Sequence, residues 1–178
     1  MPRLFVALDL PRVITRRLEK IRPPAMRGIR LVPAEQMHVT VHFIGDAETE
    51  PVSSALKTIE HQVFTISIEN IGRFKIADGG AIVWAGIQPN PDLADLYALL
   101  GKTLASVGFK PEKRSYKPHI TLARCSAAAA QSILPNYLGT NTELLMPNIP
   151  VIKFALYSST LTPTGPEYHV EGRYPLKA

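Results

Sequence analysis

The chain has 178 residues, 46% of them hydrophobic and 20% charged, a balance typical of a folded globular protein that excludes extensive disorder. The single cysteine, Cys125, excludes an internal disulfide and with it the disulfide framework of a small secreted protein. The 20 Lys and Arg residues against 15 Asp and Glu residues give a formal charge of +5, which favours an anionic partner.

The first predicted strand covers residues 3–10, and an arginine-bearing helix follows it. The apolar run of the strand is broken at Asp9 and Pro11, so it is too short for the apolar segment of a signal peptide or for a membrane span. Together with the lone cysteine, this favours a cytoplasmic protein that does not insert in a membrane. Pro11 starts the helix, its apolar side chains recur at helical spacing, and Pro23 and Pro24 end it.

The next predicted strand, MHVTVHFIG at residues 37–45, alternates polar and apolar side chains. Successive side chains of a strand point to opposite faces of the sheet. His38, Thr40 and His42 are therefore predicted to share one face, turned away from the core. The alternate residues, including Phe43, are predicted to face the core.

The rest of the chain continues as alternating helices and strands. Helices are predicted at residues 50–61, 92–108 and 127–134. Strands are predicted at residues 64–74, 81–88, 119–124, 151–161 and 167–176, the last two as a hairpin through Pro163 and Gly165. In the helix over 92–108, Asp92 is predicted to be the cap and Gly108 the end. The order of elements nearly repeats around residue 90, which predicts one α+β unit built as two similar lobes.

A His-x-Thr pair occurs twice, as His38 with Thr40 and as His119 with Thr121. A single pair is explained by hydrogen bonds within a sheet, where Thr is favoured and His is commonly bonded. Two pairs in matching aliphatic contexts instead favour two strands that face each other across a functional cleft.

Two opposed histidines suit the cleavage of a phosphodiester. One neutral imidazole can take a proton from the attacking oxygen while the other, protonated, supplies a proton to the leaving oxygen, and a pKa near 6.5 makes both states accessible. The hydroxyls of Thr40 and Thr121 can donate hydrogen bonds to the phosphoryl oxygens, where charge must be held. This chemistry needs no metal.

A metal site is the alternative explanation of His38 and His42, which are four residues apart. On a helix that spacing would bring both to one face, as in zinc proteases, but the stretch is rich in β-branched residues and lacks a Glu after the first His. On a strand, four residues span about 13 Å, too far for one ion to bridge. We therefore predict no metal site, and a supporting role or simple exposure for His42.

The stretches HVTVHFIG and HITLAR, whose histidines are 81 positions apart, resemble the duplicated motif of the two-histidine phosphoesterase superfamily. More narrowly, the chain is similar to the bacterial and archaeal RNA 2',3'-cyclic phosphodiesterases, historically named 2'-5' RNA ligases. The resemblance extends over nearly the whole chain, through RLFVALDLP, LVPAEQMHVTVHFIG, IGRFKIADGGAIVWAGI, LASVGFKPEKRSYKPHITLAR and YSSTLTPTGPEYHVEGRYPL.

The resemblance implies a single bilobal domain over residues 1–178. Each lobe would be an antiparallel sheet with helices packed outside, and the active-site cleft would lie between the sheets. It also implies hydrolysis of a terminal 2',3'-cyclic phosphate to a 2'-phosphate without metal or cofactor. By motif position, His38 and His119 would be the acid and base, and Thr40 and Thr121 the phosphate ligands.

Further residues are expected near the substrate. Arg114 and Tyr116 precede the second motif and suit a phosphate contact and a base stack, although Tyr116 suits packing equally well. Phe5 is predicted either to stack on a base or to join the core. Arg124 stands where relatives carry arginine, but strand parity places it on the face opposite His119. It is therefore predicted either to contact substrate or to form an ion pair that stabilises a lobe.

The expected partner is an RNA with a 2',3'-cyclic phosphate end, such as a tRNA fragment, bound by a monomer. Basic residues cluster over residues 12–30 and 110–117, just before the two motifs, in keeping with an RNA partner. Two other functions remain open. One is a phosphodiesterase that cleaves or joins 2'-5' linkages or opens a small cyclic nucleotide, and the other is an RNA-binding module without turnover.

Overall fold

The computed structural model describes residues 1–141 and 143–178. Within these ranges the chain forms nine β-strands and five α-helices. The strands are β1 (Arg3–Asp9), β2 (Ile29–Leu31), β3 (His38–Asp46), β4 (Phe64–Lys75), β5 (Ala81–Ile87), β6 (His119–Cys125), β7 (Leu145–Val151), β8 (Lys153–Thr162) and β9 (Gly165–Pro175). The helices are α1 (Arg12–Lys20), α2 (Thr49–Leu56), α3 (Pro91–Ala105), α4 (Ala127–Ser132) and α5 (Leu134–Asn141), and a 3-10 turn covers Ala34–Gln36.

The strands of the described residues form one sheet in the order β7-β4-β5-β6-β3-β1-β8-β9, with β2 paired to β6. All of these pairings are antiparallel. We call β3, β1, β8 and β9 the terminal half, and β6, β5, β4, β7 and β2 the central half. A single residue pair, Val39 with Ile120, joins β3 to β6 between the two halves. The predicted α+β class with antiparallel sheets is confirmed.

The two halves of the sheet are not the two halves of the chain. The C-terminal strands β8 and β9 return to the terminal half, where β8 pairs with β1 from Arg3–Ser159 to Ala7–Ala155. Residue 90, around which the order of elements nearly repeats, is therefore not the boundary between the halves. Each half contains strands from before and from after that residue.

Helices pack on the apolar face of the sheet. Along α3 the buried residues Leu93, Leu96, Leu100 and Leu104 recur at helical spacing. This stripe holds the helix against the sheet, where α3 contacts β3, while α4 and α5 contact β6 and β4 of the central half. Burial of each such leucine stabilises the fold by roughly 1.5–3 kcal/mol. The opposite face of the sheet is left for the polar side chains of the two motifs.

The predicted helix over 92–108 forms, but its cap is Asn90 and not Asp92. The Asn90 side chain accepts a hydrogen bond from the backbone N–H of Leu93 at 2.9 Å, and Pro91 occupies the first turn, where it needs no donor. The helix has 15 residues, and in the described part of the chain no helix is long and apolar enough to cross a membrane.

Strands β2 and β7 and helix α5 are absent from the sequence prediction. Strand β7 contains Pro147 and Pro150, which normally argue against a strand. It lies at the edge of the sheet, where a missing backbone donor costs nothing if it faces solvent. Strand β2 has only three residues, too few for a periodic pattern to be recognised.

Candidate active site

The two His-x-Thr motifs meet where β3 and β6 pair. These strands are antiparallel and joined at Val39 and Ile120, the middle residues of the two motifs. Extending this register by one residue in each direction puts His38 opposite Thr121 and Thr40 opposite His119. The motifs are thus related by an approximate twofold axis through their central pair.

All four motif side chains line one cleft of about 810 Å³. Three arginines from different strands line it as well, Arg3, Arg30 and Arg124, with Glu167 as the one carboxylate among the lining residues. None of these arginines forms an ion pair with a carboxylate within the described residues. The cleft is therefore a positively charged pocket suited to an anion.

Both histidines are oriented by a backbone carbonyl two residues earlier. The Nδ1–H of His38 donates to the carbonyl of Gln36, and the Nδ1–H of His119 donates to the carbonyl of Lys117, each at 2.7 Å. Because a carbonyl only accepts, Nδ1 carries the proton of the neutral ring, and Nε2 is the nitrogen that can exchange a proton. In the first motif Nε2 of His38 accepts a hydrogen bond from the Thr40 hydroxyl at 3.0 Å.

An aromatic cage surrounds His38. Its ring centroid lies 5.1 Å from that of Phe5 and 5.4 Å from that of Tyr168, with Tyr157 at 6.4 Å. Burial lowers the pKa of His38 from its ordinary value, and repulsion from His119 lowers it further. The Gln36 carbonyl and the Asp9 carboxylate oppose this shift without reversing it. Asp9 in turn accepts a hydrogen bond from the Tyr157 hydroxyl.

His119 packs against the edge of Phe74, with ring centroids 4.9 Å apart. Burial lowers its pKa, the Lys117 carbonyl opposes the shift, and the positive charge of Arg124 adds to the lowering. Both histidines are thus predominantly neutral at neutral pH. A bound phosphate anion would favour protonation of either ring, since an opposite charge nearby stabilises the cation.

A β-bulge brings Arg124 to the cleft. Val83 pairs with Ala123 and Trp84 pairs with Thr121, so Leu122 is an extra residue on β6. Leu122 and Ala123 are both buried, and Arg124 emerges on the same face as His119 and Thr121. The parity prediction that turned Arg124 away from His119 is therefore wrong, because it assumed an uninterrupted pleat.

A matching bulge on β3 turns His42 away from the cleft. Val6 pairs with His42 and Ala7 pairs with Thr40, so Val41 is the extra residue. His42 is only 4% exposed, and its Nε2–H donates to the carbonyl of Tyr97 at 2.8 Å. The prediction that His42 shares the face of His38 is wrong, and so is the prediction that Phe43 faces the core. Phe43 lines the cleft instead and is 43% exposed, with the Arg3 guanidinium 5.5 Å from its ring centre.

The remaining predicted residues are placed as follows. Phe5 lies at the cleft but is only 4% exposed, so it packs behind His38 and offers little surface to a base. Tyr116 is half-buried, is stacked on Tyr97 and is not among the residues that line the cleft. Arg114 is exposed and also lies outside the cleft lining.

Several cleft residues were missed by sequence reasoning. Tyr168 and Leu161 come from the β8–β9 hairpin, whose return to β1 carries no local signal. Gln36 could have been found, since it lies two residues before the first histidine. Its side-chain amide donates to the carbonyl of Pro166 at 3.1 Å and so connects the first motif to the hairpin. Within the described residues, no group of three His, Cys, Asp or Glu side chains is placed to hold a metal ion.

Sequence comparison identifies known relatives of this chain. The profile of the 2'-5' RNA ligase superfamily matches residues 10–160. A Methanocaldococcus jannaschii protein named RNA 2',3'-cyclic phosphodiesterase is 31% identical over 170 residues, which cover 94% of this chain and 97% of that protein. An Escherichia coli protein of the same name is 33% identical over 165 residues, which cover 89% and 87%.

Solved structures agree with these sequence matches. A Thermus thermophilus protein superimposes with a TM-score of 0.80 at 26% identity, over 99% of this chain and 98% of that chain. Escherichia coli LigT complexed with 3'-AMP superimposes with a TM-score of 0.74 at 26% identity, over 99% of both chains.

Proposed function

The chain belongs to the 2'-5' RNA ligase superfamily, and on that premise we propose that it is an RNA 2',3'-cyclic phosphodiesterase. It hydrolyses the cyclic phosphate at the 3' end of an RNA and leaves a 2'-phosphate. The observation that carries this proposal is the pairing of the two motifs about Val39 and Ile120, which brings two histidines and two threonines to one basic cleft.

The reaction needs one proton taken and one proton given. Water attacks the phosphorus, the Nε2 of one histidine takes its proton, and a P–O bond forms. The bond from phosphorus to the 3' oxygen breaks, and the Nε2–H of the other histidine protonates that oxygen to give the 3' hydroxyl. His38 and His119 are the two groups, and their shared orientation, with Nδ1 on a backbone carbonyl, leaves both Nε2 atoms for this role.

Charge on the phosphoryl oxygens is stabilised by neutral donors and one cation. Thr121 donates a hydroxyl hydrogen bond to an oxygen that does not bridge, and Thr40 does the same once its hydroxyl turns from Nε2 of His38 to the phosphate, while Arg124 supplies positive charge from the same face. The chemistry is complete with these residues and proceeds without a metal ion. If the 5' hydroxyl of a second RNA replaces water as the nucleophile, the same groups form a 2'-5' linkage, so ligation is a second outcome of the site.

The natural substrate is an RNA end, such as that of a tRNA fragment, and the working unit is a cytoplasmic monomer of one bilobal domain, residues 1–178. Support for the monomer is that strands of both sheet halves complete the cleft within one chain. Support for the compartment is the lone cysteine, Cys125, which is buried and has no second cysteine with which to form an internal disulfide. Support for RNA is the exposed positive charge of Lys113, Arg114 and Lys117 before the second motif.

The test is a short RNA with a 2',3'-cyclic phosphate end, followed by mapping of the product. We expect the 2'-phosphate and no 3'-phosphate. His38→Gln and His119→Gln should each reduce turnover by roughly 10² to 10⁴ while the fold is retained. The matched control is His169→Gln, since His169 is exposed and does not line the cleft. Undiminished turnover in either motif variant, or no turnover by the unaltered protein, would reject the proposal.

A further inference from the structure

A tyrosine outside the cleft connects the two motifs. Tyr116 lies in the segment 106–118 that leads from α3 into β6 of the central half. Its hydroxyl donates to the backbone carbonyl of Thr40, on β3 of the terminal half, at 3.0 Å. Since the β3–β6 ladder contains one residue pair, this hydrogen bond is a second connection at the junction where both motifs lie.

The ring of Tyr116 is held by a stack of aromatic rings. It lies parallel to Tyr97, with an interplanar angle of 4° and centroids 4.2 Å apart. On its other side Tyr97 stacks on His42, at 12° and 4.3 Å, and the Phe109 ring closes the edge of His42. Gly101 of α3 lets the helix approach, since a Cβ there would lie 3.2 Å from the His42 ring. The stack leaves the Tyr116 hydroxyl little freedom.

Both ends of this connection touch groups of the proposed reaction. The Thr40 carbonyl accepts the hydrogen bond from the Tyr116 hydroxyl, and the Thr40 hydroxyl donates a hydrogen bond to Nε2 of His38. Lys117, the residue after Tyr116, supplies the carbonyl that orients His119. Two consecutive residues, Tyr116 and Lys117, therefore form hydrogen bonds to both motifs. Tyr116 bonds to the backbone of the first motif, and Lys117 bonds to the His119 ring of the second.

We propose that Tyr116 is a positioning residue that fixes the spacing between the His38–Thr40 and His119–Thr121 pairs. The proposal rests on the function proposed above and deepens it. Acid–base catalysis by two groups depends on their separation, and a misplacement of about 1 Å can cost on the order of 10²-fold in rate. Tyr116 does not line the cleft, so it acts on the rate through the relative placement of the two histidines.

The experiment replaces Tyr116 with Phe, which keeps the ring stack and removes the hydroxyl. The matched control is Tyr137→Phe, because the buried Tyr137 also donates its hydroxyl to a backbone carbonyl, that of Ile21, between α5 and the end of α1. Each variant loses one hydrogen bond of the same type, and only one of them lies between the motifs. Comparison of the two separates positioning from general stability.

For an RNA with a 2',3'-cyclic phosphate end, we expect kcat of Tyr116→Phe to fall about tenfold while KM changes by less than about threefold. Tyr137→Phe should retain kcat, and both variants should lose a similar amount of Tm. Equal kcat in the two variants would overturn the proposal. So would a loss of Tm in Tyr116→Phe far beyond that of the control, since the hydroxyl would then serve stability alone.

A second measurement does not depend on turnover. NMR titration of the imidazole signals gives the pKa of His38 and of His119 in each protein. If loss of the Tyr116 hydrogen bond lets the two motifs move apart, the pKa values of both histidines should rise in Tyr116→Phe, because burial and mutual repulsion both weaken. Neither pKa should change in Tyr137→Phe. Unchanged values in Tyr116→Phe would reject the positioning role. If the unaltered protein opens no cyclic phosphate, the proposed function fails while this titration still decides the role of Tyr116.

Discussion

Phe43 and Arg124 occupy equivalent positions, five residues after His38 and His119 respectively, and each reaches the cleft only because a bulge interrupts its strand. The approximate twofold symmetry of the motifs thus extends to the backbone defect that follows them. The symmetry ends at the side chains, since one position carries an aromatic ring and the other a cation. The two sides of the cleft therefore present different chemistry to a bound nucleotide.

Replacement of Arg124 with Gln should lower kcat/KM on a cyclic phosphate RNA by about 10- to 100-fold. The reason is that a hydrogen bond to a charged group contributes roughly 1.5–3 kcal/mol. Arg27→Gln is the matched control, because Arg27 is exposed just before β2 and does not line the cleft. Equal kcat/KM in the two variants would show that Arg124 has no part in phosphate binding.

His38→Ala and His119→Ala should each reduce kcat by roughly 10² to 10⁴, the usual worth of one positioned acid or base. The double variant should be far less impaired than the product of the two single losses, because groups that act as a unit are not additive. Rates for all four proteins on one RNA substrate, with folding checked by circular dichroism, decide the matter. Multiplicative losses would mean that the two histidines act independently.

The rate should depend on pH as a bell, with an optimum for kcat/KM below about 6.5. Burial lowers the pKa of both His38 and His119 in the unliganded protein, so both limbs move to lower pH. In the complex the phosphate charge opposes this shift, and the optimum for kcat should lie at higher pH. Arg124→Gln should raise the pKa of His119 and move one limb of kcat/KM upward. Identical profiles for kcat and kcat/KM would contradict the predicted effect of the phosphate.

Stability should fall as the pH is lowered from 7.5 to 5.5. Burial lowers the pKa of His42, as it does for the two motif histidines, so the unfolded chain binds these protons more readily than the folded one. The contribution is present above about pH 6.5 and is lost as the pH falls through the folded values, at up to about 1.4 kcal/mol per pH unit for each proton. Urea unfolding at several pH values measures it. His42→Gln should be less stable at pH 7.5 but should show a shallower slope, and an unchanged slope would exclude His42 as a contributor.

Activity should persist in EDTA, because the donors that we propose for the phosphate are the hydroxyls of Thr40 and Thr121 and the Arg124 guanidinium, all of which line the cleft. The measurement is turnover of the cyclic phosphate RNA before and after prolonged dialysis against chelator. Loss of turnover that returns on addition of zinc or manganese would require a different mechanism.

Strand periodicity and motif spacing predicted the main features of the site. The duplicated His-x-Thr pattern identified the four side chains of the motifs and placed them on one face of each strand. The prediction from strand periodicity was wrong beyond Val41 and Leu122, because each is an extra residue in its strand and reverses which side chains face the cleft. Nothing in these two aliphatic side chains distinguishes a bulge from a regular strand, so His42, Phe43 and Arg124 were assigned to the wrong faces.

The remaining failures concern contacts distant in sequence. The ring centroids of Tyr168 and His38 are 5.4 Å apart, although the two residues are separated by 130 positions in the sequence. They meet only because the last hairpin pairs with the first strand. Strand pairing of that range depends on the packing of the whole sheet and leaves no trace in a local window. Strand β7 was missed because of a misleading local signal. Its two prolines argue against a strand unless the strand is known to lie at the edge of the sheet.

The position of β1 between β3 and β8 has a consequence for how the protein is made. During synthesis, β1 and β3 leave the ribosome more than a hundred residues before β8 and β9, so the terminal half must wait for the last part of the chain. Four strands of the central half, β2, β4, β5 and β6, can assemble earlier. Such long-range pairing makes folding slow, because a large loop must close before its contacts form. The aromatic cage of His38 is consequently among the last parts to form, and we expect a nascent chain to open no cyclic phosphate until its final hairpin has been added.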